Sequence, residues 1–183
     1  MALVAATVLA FAVPAVSEAS PYGGTAYETP PPAQPVPATT PATTVPAGPV
    51  ATIDANGLAV APAGAPLAVR KIIAAGNRIA FKKYIYGGGH RRWRDTGYDC
   101  SGSVSYALRG AKLLKAPLAS GDFIDWGEAG PGTWVTLYTK SSHIYMVVAG
   151  LRFDTSGRGK TGSRWQVAQR SPDGYTVRHP VGL

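Results

Sequence analysis

The sequence predicts an α+β domain in which N-terminal helices pack on an antiparallel sheet. Apolar residues recur at helical spacing in two segments, the first at about residues 66–80 and the second after Asp99. Short runs rich in β-branched and aromatic residues then follow one another in the last third of the chain, with no helix-length segment between them. Helices followed by consecutive short strands are typical of an antiparallel sheet covered on one face.

Two helices are expected before the strands. Pro66 suits the first helical turn, so the first helix is predicted over about 66–80. The apolar residues that share its face are Val69, Ile72, Ile73 and Ile79. The second helix is predicted to begin at Cys100, with Asp99 as its N-cap, and to extend to about 110–114.

Four strands are expected after the helices, at 134–138, 143–148, 151–154 and 175–178. Ala149 and Gly150 fit a two-residue hairpin turn between the second and third of them. With that register, His143 and Asp154 lie on one face as diagonal neighbours, roughly 7–8 Å apart at the backbone.

Composition divides the chain into three parts. Residues 1–19 are apolar and small and end in a site suited to a signal peptidase, which predicts a signal peptide. Because this run is short for a membrane span, no stable membrane insertion is expected after cleavage. Residues 20–64, rich in Pro, Ala and Thr, are expected to form a disordered linker whose apolar patch at 53–62 docks on the domain at 65–183. The expected location is extracellular or periplasmic.

The domain at 65–183 is strongly basic. It contains all 18 Lys and Arg residues and seven Asp and Glu residues, a formal charge of +11. Such a surface predicts a polyanionic partner. For an exported protein, anionic cell-wall polymers are better candidates than nucleic acid, and a basic face that only contacts water is the alternative.

Cys100 is the only cysteine of the chain, so no internal disulfide can use it. In the first turn of a helix its thiolate is stabilised by free backbone N–H groups and by the helix dipole. The position therefore indicates a reactive nucleophile, and a small buried apolar side chain is the alternative.

A thiol nucleophile needs a base, and three histidines are available. His143 opens a strand and is the preferred base. His179 is interpreted as structural, and His90 as part of an exposed basic loop that could contact substrate. Asp154 is the predicted orienting group for His143, with an ordinary turn residue as the alternative.

Three sequence features together resemble the NlpC-type cell-wall cysteine peptidases of the papain-like superfamily. They are the segment Tyr84-Ile85-Tyr86-Gly87-Gly88, the segment Tyr98-Asp99-Cys100-Ser101-Gly102, and a histidine that opens a strand. The resemblance covers about residues 66–157, and it implies a circularly permuted papain-like domain. It also implies hydrolysis of peptidoglycan stem peptides, typically between γ-D-glutamate and diaminopimelate or lysine.

The resemblance assigns roles to individual residues. Cys100 would be the nucleophile, His143 the base, Asp154 the orienting residue and Tyr84 a donor to the oxyanion. The residues assigned to substrate binding are Asp99, Ser101 and Tyr86. No metal or cofactor is implied. In that family the orienting residue is commonly His, Asn or Gln, so an aspartate is a departure.

Other functions remain open at this point. A muramoyl-alanine amidase or an acyltransferase would use the same chemistry on a different bond. A non-catalytic wall-binding module would keep the scaffold without a reactive thiol, and a nucleic-acid binder is indicated by charge alone.

Overall fold

A computed structural model describes residues 50–183, so the predicted signal peptide and residues 20–49 of the predicted linker lie outside the described residues. In chain order the elements are β1 (Thr52–Ile53), β2 (Ala59–Val60), α1 (Leu67–Ile79), α2 (Cys100–Gly110), a 3-10 turn (Asp122–Ile124), β3 (Glu128–Ala129), β4 (Val135–Lys140), β5 (His143–Val148), β6 (Leu151–Phe153), α3 (Arg158–Thr161), β7 (Trp165–Gln166) and β8 (Thr176–His179). None of the helices in this part of the chain is long and apolar enough to cross a membrane.

The main sheet has six strands in the order β3-β8-β4-β5-β6-β7, and every neighbouring pair is antiparallel. Helices α1 and α2 precede the sheet in the chain, and α2 packs against β5 and α1. The predicted α+β class is confirmed. The shared core consists of apolar side chains from the helices and the central strands, among them Val69, Ile72, Val104, Leu108, Leu137, Ile144, Met146 and Phe153.

The two helices form close to the predicted bounds. α1 begins after Pro66, and α2 begins at Cys100 with Asp99 as its N-cap, whose carboxylate accepts a hydrogen bond from the Gly102 N–H at 2.7 Å. The helices approach closely at Gly110, where a Cβ atom would lie 2.5 Å from the Cβ of Ala75. A glycine at this position therefore lets α2 pack directly on α1.

The strand predictions are correct in place and differ at the ends. The expected strands at 134–138 and 175–178 are observed as Val135–Lys140 and Thr176–His179. β6 ends at Phe153, one residue before the predicted end, and Asp154 follows it. The short elements β3, β7 and α3 were not predicted, since two to four residues are too few to show periodicity.

Residues 50–64, assigned to the linker from composition, are part of the folded structure. β1 and β2 pair as a small hairpin, and Ala51 and Ala59 are buried in the core. The Asn77 side chain on α1 bonds both the N–H and the C=O of Ala59, at 3.0 and 2.9 Å. The docked segment includes the apolar patch at 53–62. Composition did not predict that residues 50–64 are folded, because the Asn77 side chain that binds them belongs to α1, outside the segment.

Arg164 is a fully buried cation with no acidic partner within residues 50–183. Its guanidinium donates to the carbonyl oxygens of Ile79 at 2.6 Å, Lys82 at 2.5 Å and Tyr98 at 3.1 Å, and to the Ser103 hydroxyl at 3.0 Å. Burial lowers its pKa to about 10, so the side chain remains charged at neutral pH. The group joins the end of α1, the segment before Cys100 and α2.

We expect Arg164→Ala to lower the free energy of unfolding by about 3 kcal/mol or more, because it leaves several buried carbonyl groups without a donor. Urea unfolding followed by circular dichroism measures the change. Arg158→Ala is the matched control, since Arg158 donates to one exposed carbonyl, that of Phe81. A similar small loss in both variants would contradict the structural role of Arg164.

Candidate active site

Cys100 occupies the first position of α2, where its sulfur is half-buried. The N–H groups of the first helical turn have no partner within the helix, and the helix dipole places partial positive charge there. The Ser120 hydroxyl lies 3.5 Å from the Cys100 sulfur. The side chain of His143 and the backbone N–H of Ile144 also lie near enough to the thiol to lower its pKa.

His143 and Asp154 are hydrogen-bonded, with 3.0 Å between Nε2 and a carboxylate oxygen. The predicted two-residue turn accounts for the contact. Val148 pairs with Leu151, and both Ala149 and Gly150 have positive φ, 45° and 80°, as a type I′ hairpin turn requires. The two side chains therefore emerge on one face of the sheet, next to each other.

The three groups favour an ionised thiol and a protonated imidazole. Burial of Cys100 opposes ionisation, but hydrogen bonds from His143, Ser120 and Ile144 and the charge of His143 outweigh it, so its pKa is lowered. Burial also opposes protonation of His143, yet its contacts with Asp154 and Cys100 raise the pKa of the imidazole to about 9. A thiolate–imidazolium pair therefore exists above the lowered thiol pKa and below about pH 9.

Asp154 is a buried carboxylate held by several donors. Besides His143, it accepts the Ser156 N–H at 2.8 Å and the Arg170 guanidinium at 3.0 Å, and Arg152 lies 3.8 Å away. Burial alone would raise its pKa, but these donors and the charge of His143 lower it. Asp154 is therefore ionised at neutral pH, in a geometry that orients the His143 ring.

Two residues at the site were not found from the sequence, Ser120 and Arg170. Ser120 precedes the 3-10 turn in a segment without a motif. Arg170 lies in the C-terminal segment after β7, where its guanidinium covers the rings of Tyr145 and Tyr175 at 5.2 and 5.5 Å. No sequence signal distinguishes either residue, because each reaches the site only through the packing of distant segments.

Tyr84 lies near Cys100 and Asp99, and Tyr86 lies near Tyr84. Burial, and then the charges of Cys100 and Asp99, raise the pKa of Tyr84, so its hydroxyl stays protonated. Half of the Tyr84 side chain is exposed, and Tyr86 is almost fully exposed. Both rings are accessible from solvent.

Asp99 and Ser101 flank the cysteine as expected, and His90 joins them. The His90 Nε2 lies 3.1 Å from an Asp99 carboxylate oxygen and 3.2 Å from the Ser101 hydroxyl. The predicted loop is exposed at Arg91, Arg92 and Arg94, but the His90 ring is turned toward this pair and is only 27% exposed. The backbone N–H of Gly87 donates to the second carboxylate oxygen of Asp99, which folds the loop onto the start of α2.

The remaining histidine lies at a different strand. His179 hydrogen-bonds the Gly130 carbonyl and pairs with Glu128, each at 3.0 Å, and so joins β3 and β8. This is the structural position interpreted from the sequence. Within residues 50–183, no group of three His, Cys, Asp or Glu side chains is arranged to hold a metal ion.

The comparisons with known proteins include a structural likeness. No protein-family model matches the chain, and no curated protein matches it. The chain is similar to the crystal structure of the P60 domain of an antigen from M. avium subspecies paratuberculosis. The TM-score is 0.46 and the identity 23%, over 61% of this chain and 93% of that one. We draw no functional inference from a likeness of this degree.

We expect iodoacetamide to alkylate Cys100 rapidly at about pH 6, because the lowered pKa leaves thiolate where an ordinary cysteine is protonated. His143→Ala should slow the reaction about tenfold for each unit by which the thiol pKa rises. Ser120→Ala should act in the same direction and less strongly. Since the chain has one cysteine, adduct mass reports this site alone. Equal rates in wild type and His143→Ala would remove His143 from the site.

Proposed function

We propose that the protein is a secreted, wall-associated cysteine endopeptidase that hydrolyses peptide bonds in peptidoglycan stem peptides, of the γ-D-glutamyl–diaminopimelate type. The observation that carries the proposal is the grouping of a thiol, an imidazole and a carboxylate at one place. Cys100 lies in the first turn of α2, His143 lies near enough to lower the pKa of its thiol, and His143 is hydrogen-bonded to Asp154 at 3.0 Å. This order of groups is that of a nucleophile, a base and an orienting residue.

In the proposed reaction each of these groups has one role. The Cys100 thiolate attacks the carbonyl carbon of the scissile amide, and the oxyanion receives hydrogen bonds from the Cys100 backbone N–H and the Tyr84 hydroxyl. Imidazolium of His143 donates its proton to the leaving amine, which departs as the C–N bond breaks. His143 then takes a proton from water, the hydroxide adds to the thioester, and the free carboxylic acid and the thiol are restored.

The substrate class rests on the motif resemblance and on the groups beside Cys100. The carboxylate of Asp99 and the hydroxyl of Ser101 lie within hydrogen-bonding distance of each other at 3.3 Å, and His90 contacts both. A carboxylate and a hydroxyl next to the nucleophile in sequence suit the ammonium group at the free amino end of a stem peptide. Tyr84 and Tyr86 offer exposed rings to the rest of the substrate.

Purified peptidoglycan digested with the full chain should release muropeptides whose new amino end is diaminopimelate or lysine, as read by mass spectrometry. Cys100→Ala should release none. Cleavage between muramic acid and alanine would show an amidase instead, and absence of any cleavage by a protein that is alkylated rapidly at Cys100 would contradict the proposed substrate.

We expect Asp154→Ala to lower kcat about 100-fold and to change KM much less, because the carboxylate orients His143 and favours its protonated form. Asp154→Asn should retain considerably more activity if orientation dominates, since an amide oxygen still accepts a hydrogen bond from the ring. Thermal unfolding of both variants controls for the loss of the Arg170 contact. Wild-type kcat in Asp154→Ala would exclude Asp154 as the orienting group.

A further inference from the structure

A concave surface runs beside α2, from Tyr98, two residues before Cys100, to Lys115 after the end of the helix. This groove, of about 990 Å³, runs between the C-terminal ends of α1 and α2 and the loop that contains Trp93 and Asp95. Six cationic residues line it: Arg78, Lys82, Arg94, Arg109, Lys112 and Lys115. Asp95 is the one acidic residue in the lining that the structure describes. We call this surface the basic groove.

The cations of the basic groove are exposed, and within residues 50–183 none of the six forms an ion pair. The carboxylate of Asp95 is already engaged by the backbone N–H groups of Gly89 and Thr96 and by Arg92. The dipoles of the two helices account for a cation in each last turn, Arg78 and Arg109, and leave four others without a structural reason. Six uncompensated positive charges around one concavity form a site for several negative charges at once.

The shape and lining favour a polymer of linked phosphates over nucleic acid. A volume of about 990 Å³ is large for one phosphate ion and suits an extended segment. Single-stranded nucleic acid binds on exposed aromatic faces that stack on successive bases. Here Trp93 packs on the core and its ring is covered by the Arg109 guanidinium at 4.6 Å, and Tyr106 meets Tyr98 edge to face. The groove therefore presents charge without free stacking surfaces.

We propose that the basic groove binds a polyol-phosphate polymer of the cell wall, of the poly(glycerol phosphate) type. The choice of a wall polymer rests on the function proposed above. Three of the six cations are arginines, whose planar guanidinium groups can bind phosphate oxygens in pairs. Cys100 is not among the residues that line the groove, so a bound polymer need not cover the thiol.

The loop that lines the groove also reaches the candidate active site. His90 at the start of this loop contacts Asp99 and Ser101 beside Cys100, while Trp93 and Arg94 line the groove. The basic groove and the candidate active site thus share one loop and one helix. A protein molecule whose groove binds a wall polymer would hold Cys100 against the peptide stems of the same wall layer.

The test compares two pairs of charge reversals that change the net charge equally. The groove pair is Lys82→Glu with Lys115→Glu, and the control pair is Arg70→Glu with Lys160→Glu, whose side chains are exposed, unpaired among the described residues and outside the groove. Each pair is placed in Cys100→Ala and titrated with purified poly(glycerol phosphate). We expect the groove pair to weaken binding at least about tenfold and to reduce the slope of log Kd against log salt by about two, and the control pair to change Kd less than about twofold.

Two further arms identify the ligand. A polyuronate and a single-stranded oligothymidylate are titrated under the same conditions, and tighter binding of either one than of poly(glycerol phosphate) would overturn the assignment. Equal weakening by both pairs would show that net charge alone attracts the polymer and that the groove is not the site. Because binding is measured in Cys100→Ala, it is independent of hydrolysis. The groove pair made in the protein that retains Cys100 should keep the wild-type alkylation rate.

Discussion

The guanidinium of Arg164 determines how the segments around the cysteine are held. Its donors bind carbonyl groups at the end of α1 and directly before Cys100, and the Ser103 hydroxyl on α2. A buried cation is costly unless its donors are satisfied, and here oxygen atoms of the described residues satisfy them, with no counter-charge among those residues. The start of α2, and with it the thiol, is thereby attached to the C-terminal part of the chain.

The same C-terminal part completes the candidate site. Gln166 on β7 donates to the backbone carbonyls of Asp154 and Ser156, and Arg170 binds the Asp154 carboxylate. Burial disfavours each charge of the site when it is alone, yet contact with its neighbour reverses the effect for Cys100, His143 and Asp154 alike. The ionised thiol is consequently a property of the whole hydrogen-bonded row and of the elements that align it.

The charged groups near α2 fall into two sets. At the candidate active site, His143 is paired with Asp154 and His90 with Asp99. In the basic groove, six cations face solvent without acidic partners among the described residues. Positive charge is therefore concentrated on a surface that Cys100 does not line, where an anionic matrix can bind.

The sequence by itself determined the local features of this protein. The helix that starts at Cys100, its Asp99 cap, the strand that His143 opens and the turn at Ala149 all follow from periodicity, capping and turn chemistry, which act over a few residues. Because a two-residue turn sets the register, even the contact between His143 and Asp154 was predictable. Tertiary structure alone decided which distant groups join them. Ser120, Arg164 and Arg170 carry no local signal, His90 turns inward to Asp99, and the basic groove forms only where two helix ends meet a loop, since contacts between segments far apart in sequence depend on how the elements pack.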